Sequence, residues 1–112
     1  MSDLLLELEK ARQDLHKSMK LLRKNGNDFA QAEHDYQVVK AQTVLVMKSN
    51  GCPVTEINLS IKGQPAVAEA MLKRDIARVM YETNQEHINA TKLDIRVLEK
   101  QIAREWGSNG ET

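Results

Sequence analysis

The chain has 112 residues, enough for one domain. Its 16 Lys and Arg balance 16 Asp and Glu, so no net charge draws it to nucleic acid or an anionic membrane. Its one cysteine, Cys52, excludes an intramolecular disulfide and a four-cysteine metal site, and no apolar run approaches the roughly 18 residues of a membrane span.

The opening Met1-Ser2-Asp3-Leu4-Leu5-Leu6-Glu7 is acidic, and its apolar run is too short for a signal peptide. We therefore expect a protein of the cytoplasm. Ser2 or Asp3 can cap a first helix, with Glu7 and Glu9 near the positive end of its dipole. A hydrophobic seam then steps 3, 4, 3, 4 through Leu8, Ala11, Leu15, Ser18, Leu22, Asn25, Phe29, Ala32, Tyr36, Val39, Thr43 and Val46. Asn25-Gly26-Asn27-Asp28 has the composition of a breaker, yet the seam keeps its phase across it. Two separate helices would have no reason to do so. The phase predicts one helix over about 3–48, bent or loosened at Gly26, where a mid-helix glycine costs about 1 kcal/mol relative to alanine.

Gly51 or Asn50 suits the left-handed position that ends a helix, and Pro53 cannot continue it. Residues 49–64 read as a turn. Within it, Thr55 can cap a short helix that Gly63 stops. The competing reading is a strand, because Ile57, Leu59 and Ile61 alternate with polar residues. The helix is preferred because a lone strand would lack a partner. Pro65 suits the first turn of a second long helix, over about 65–106, with 107–112 as a frayed tail. Its seam is Ala70, Arg74, Ala77, Tyr81, Asn84, Ile88, Thr91, Ile95, Leu98 and Ile102.

The expected fold is therefore all-α: an antiparallel, coiled-coil-like hairpin of two long helices. Folded about the turn, Val46 would meet Val67, Tyr36 Ala77 and Leu22 Thr91, with Leu8 near Ile102. A polar middle of Asn25, Asn84 and His87 would fix register. Apolar residues remain off both seams: Leu5, Met19, Leu21, Val38 and Leu45 on the first helix, and Leu72, Ile76, Val79, Ala90, Leu93 and Val97 on the second. One partner helix cannot cover both stripes, so we expect a homo-oligomer, a dimer or tetramer forming a multi-helix bundle. Leu72, Ile76, Val79, Leu93 and Val97 are the candidate interface.

Nothing points to catalysis, a cofactor or a metal. His16, His34 and His87 lack His-x-x-x-His or Glu-x-x-His spacing. Cys52 has no sequence sign of a base or oxyanion hole, and the scattered glycines cradle no phosphate. One charge run stands out. Lys10, Arg12, Lys17, Lys20, Arg23 and Lys24 have only Asp14 among them, and Lys10, Lys17 and Lys24 share a heptad position. Lys10, Lys17, Lys20, Arg23 and Lys24 are thus candidate phosphate contacts; the alternative is a solvated face, and the neutral chain favours that alternative. A helix-turn-helix over Asn50–Leu72 fits poorly, since its third helix would be about 40 residues long. Asp28, Glu33 and Asp35 are too short an acidic run to mimic DNA.

Lys73-Arg74-Asp75-Ile76-Ala77, Met80-Tyr81-Glu82, Ile88-Asn89-Ala90-Thr91-Lys92-Leu93, Ile95-Arg96-Val97-Leu98-Glu99 and Gln101-Ile102-Ala103-Arg104-Glu105-Trp106-Gly107 resemble small, uncharacterised helical proteins of the early or replication-recombination modules of Gram-positive phages and prophages. Gly51-Cys52-Pro53-Val54-Thr55 is similar too. The resemblance runs from about Asp35 onward. It implies a phage or prophage origin, a setting in the host cytoplasm and a host or phage protein as partner, and it brings no activity or site residues.

Overall fold

In a computed structural model, which describes residues 2–110 and their side chains over 3–107, the chain is all-α. Helix α1 spans Ser2–Ser49, α2 Val54–Ser60 and α3 Pro65–Gly110, with a 310 turn at Ile61–Gly63 between α2 and α3. The chain divides into two compact units, one of Met1–Arg23 with Glu82–Thr112 and one of Lys24–Tyr81. Within each, a segment of α1 packs antiparallel on a segment of α3. Ser2 and Asp3 lie inside α1, with Asp3 in its first turn. Helix α3 continues four residues past the expected end at Trp106, and Glu111 and Thr112 lie outside the described residues.

Helix α1 is unbroken through Asn25-Gly26-Asn27-Asp28. The reason for the glycine lies across the helix pair. A Cβ at Gly26 would meet Cε2 of Tyr81 at 3.3 Å, and the Tyr81 ring leans on Phe29 with centroids 6.1 Å apart. The missing side chain makes room for an aromatic ring, and the helix accepts the conformational cost. Gly26→Ala is therefore expected to change stability little, because the gain of about 1 kcal/mol in helix propensity is offset by crowding against Tyr81. In a Tyr81→Ala background the same change should show the full gain in urea denaturation. An equal gain in both backgrounds would show that the ring does not restrict this position.

Gly51, with φ of 82°, ends α1. Its N–H donates to the Lys48 carbonyl, and the Cys52 N–H donates to the Met47 carbonyl, both at 3.0 Å. This pair of bonds is the Schellman cap, which satisfies carbonyls left open at a helix end. Nothing crowds the Gly51 position, so the cost of a side chain there is purely conformational. Gly51→Ala should lose about 1 kcal/mol of stability; thermal melts that show no loss would refute the left-handed assignment.

The stretch after Pro53 is the short helix, not the strand. It starts at Val54 with Pro53 at the cap position and no side-chain cap bond, so Thr55 does not cap it. Its Ile57 and the following Ile61 are buried. Ile61 joins Tyr36 and the fully buried Val67 in the core of the Lys24–Tyr81 unit, with Val39, Val44, Met47, Ala70 and Met71 against it. Pro65 opens α3, where a missing N–H costs nothing.

The second seam is covered along its whole length, and the first is covered from Leu8 to Thr43. Val46 departs from it: it is exposed, and Met47 takes the inward position. An α-helix drifts about 20° per heptad from a strict 3.5-residue repeat, which over about five heptads amounts to one residue. The drift is visible in the partly covered pairs Val39 and Lys40, then Thr43 and Val44. The expected Val46–Val67 meeting fails with it. Val67 packs in the Tyr36 cluster, because Ile61 of the turn is folded in beside it.

Candidate interaction surfaces

In the Lys24–Tyr81 unit, the face of Tyr36 is covered by Arg74, whose guanidinium carbon sits 4.4 Å from the ring centroid. Arg74 Nε and Nη2 donate to Asp75 Oδ1 at 3.1 and 3.0 Å. Glu33 Oε2 lies 3.6 Å from Nε, and Arg78 reaches Asp75 at 3.2 Å. The hydrogen bond to Asp75 raises the Arg74 pKa above its ordinary value; desolvation opposes the rise, and the charges of Asp75 and Glu33 add to it. A raised pKa contributes stability below the ordinary arginine range and loses it only as pH climbs through the raised value, so Arg74 stays charged at any working pH. A cation at a seam position is tolerated because its planar group stacks on an aromatic ring while its edge meets carboxylates. The sequence places Arg74 in the seam but does not say which ring or acid it meets.

In the other unit, Asn84 is buried and its Nδ2 donates to the Ser18 carbonyl at 3.2 Å. Thr91 is buried too, its hydroxyl donating to the His87 carbonyl at 2.8 Å. His87 itself does not join a polar core. It is exposed, with Nε2 2.8 Å from Asp14 Oδ2, because it stands one residue off the Ile88 seam position and so points about 100° away from it.

The five candidate phosphate contacts do not form one uniform stripe. Lys10, Lys17, Lys20 and Arg23 are exposed on α1, and Lys17 and Lys20 flank a shallow hollow shared with Glu9 and His16. Lys24 instead holds Asp28 at 2.8 Å. Arg12 lies 3.9 Å from Glu99. Such exposed pairs add little stability but reduce the local positive field.

The five candidate interface residues are all exposed on α3: Leu72, Ile76 and Val79 in the Lys24–Tyr81 unit, Leu93 and Val97 in the other. Met80 is also more than half exposed; its place four residues after Ile76 was a signal the sequence reading could have used. Beside Ile76 and Met80 is a hollow of about 180 Å³ floored by Ala77 and edged by Asp28 and Lys73. A groove of about 440 Å³ adjoins it, floored by Ala32, Ala66 and Ala70, with Asp35 and Glu69 at its rim. Leu59 on α2 is 88% exposed. Among the described residues no cluster of three His, Cys, Asp or Glu could hold a metal ion, and no helix is long and apolar enough to cross a membrane.

Compared with family models, curated proteins and solved structures, the chain has no match.

Proposed function

We propose that this chain is a non-enzymatic phage or prophage protein that self-associates and acts in the host cytoplasm by binding another protein, modulating a host factor or assisting replication and recombination. The observation that carries the self-association is the row of exposed apolar residues on α3, Leu72, Ile76, Val79, Leu93 and Val97. Apolar surface of this extent is costly to leave in water and marks a place of association. The resemblance of the Lys73–Gly107 segments to phage-encoded helical proteins supports the origin and setting. Sedimentation equilibrium at micromolar concentration is expected to give a dimer or tetramer, and a stable monomer would overturn the self-association.

A second reading is a nucleic-acid-binding accessory using Lys10, Lys17, Lys20, Arg23 and Lys24. The exposure of the first four on one helix supports it, while the Lys24–Asp28 pair and the neutral chain weigh against it. Gel shifts with duplex and single-stranded DNA at about 50 mM salt separate the readings, because phosphate contacts are strongest there. The favoured reading expects no shift.

A further inference from the structure

We infer that two copies of this chain meet through the Leu72–Met80 face of α3, running antiparallel, with Ile76 on the twofold axis. The inference rests on the self-association reading and makes it specific to one face and one orientation.

Leu72, Ile76 and Met80 follow one another at steps of four, with Val79 three after Ile76, so they form one patch over two turns. It lies on the side of α3 away from the seam of Ala70, Arg74, Ala77 and Tyr81. Each of the four side chains is 52–59% exposed. Together they offer on the order of 400 Å² of apolar surface, the size at which a patch marks a contact site. Two such patches supply about 800 Å², and the flanking groove brings the total near the 1,000 Å² of a specific interface.

The shape and charge of the face fit a second copy of itself. It carries both a ridge, Ile76 and Met80, and beside it the Ala77-floored hollow of about 180 Å³, large enough for one branched or thioether side chain. Surfaces that contain knob and hole side by side are self-complementary about a twofold axis. The charges then choose the direction. Glu69 and Lys73, 3.5 Å apart, sit at the N-terminal edge of the patch. A parallel pairing in register would set Glu69 on Glu69 and Lys73 on Lys73. An antiparallel pairing about Ile76 sets Leu72 on Met80, brings Lys73 beside Val79, where its aliphatic stem covers apolar surface, and carries the two Glu69 side chains to opposite ends. Asp75, Arg78 and Arg74 are engaged with one another and stay out of the contact.

Single cysteines in a Cys52→Ser chain test this directly. All three positions are exposed, so the fold is not at risk. Under copper-phenanthroline in air, Ile76→Cys is expected to give a disulfide-linked dimer in most of the protein. Leu72→Cys and Met80→Cys should each crosslink poorly alone, and readily when mixed, as shown with two chains of different tag length. Self-crosslinking of Leu72→Cys and Met80→Cys as efficient as that of Ile76→Cys would overturn the antiparallel direction, and no crosslinking at any of the three would overturn the face. Sedimentation of the unsubstituted chain separates the two levels: a dimer without this crosslinking pattern refutes this inference alone, while a monomer refutes the self-association as well. Ile76→Glu should weaken dimerisation at least tenfold with helical content unchanged; an unchanged dissociation constant would refute the face.

Discussion

Tyr36→Ala should lose about 3–5 kcal/mol of stability, the range for removing a buried aromatic ring. The ring is 3% exposed and belongs to a small core with Ile61 and Val67. Its removal empties the centre of the Lys24–Tyr81 unit and leaves the Arg74 guanidinium without the face it stacks on. Neither helix can collapse into the gap easily, because Ile61 is held there by the turn and Val67 is already fully buried. Tyr36→Phe keeps the ring and its cation contact, and should cost about 1 kcal/mol or less. Urea denaturation of the two variants checks this. Similar losses in both would place the stabilisation in the hydroxyl and refute the packing account. A double-mutant cycle of Tyr36→Leu with Arg74→Met should show favourable coupling; additive effects would mean that the stacking carries no energy.

Ile88→Ala should lose about 2–4 kcal/mol. In the unit of Met1–Arg23 with Glu82–Thr112, Leu8 and Ile88 are the buried apolar residues, and Ser18, Asn84 and Thr91 the buried polar ones. A core built from so few side chains has no reserve, and small helical proteins have only about 5–10 kcal/mol of total stability. The loss belongs at the lower end of the range, since a thin helix pair lets water reach the gap. Amide exchange localises the effect: protection around Ser18 and Asn84 should fall by at least tenfold, and unchanged protection there would show that Ile88 does not hold these segments together. Leu8→Ala serves as a matched control, with a loss of similar size.

Much of the fold was legible in the chain. The heptad phase kept through Asn25-Gly26-Asn27-Asp28 gave one α1, and the positions of Gly51 and Pro65 marked the end of α1 and the start of α3. The short helix won over the strand because Ile57 and Ile61, four residues apart, can bury themselves under the turn, whereas a strand there would leave its backbone groups unpaired. The errors were of one kind. Val46, Thr55 and His87 were each placed by sequence spacing alone, and each was displaced by something the spacing does not contain: accumulated helix drift, a helix that starts one residue earlier, and an acid on the opposite helix. The candidate surfaces were legible to a different degree. Exposure of Leu72, Ile76, Val79, Leu93 and Val97 follows from their position off the seam, but the hollow beside Ile76 depends on which small residues α1 and α3 set against each other.

The sequence by itself determined the helices, their ends and the faces they bury, because those follow from local periodicity and from the backbone freedom of a few glycines and prolines. Only the tertiary structure decided why Gly26 sits mid-helix, what covers Tyr36 and where Asn84 spends its amide. These depend on which side chains from distant parts of the chain come within a few ångströms, and a one-residue drift along α1 is enough to change every such partner.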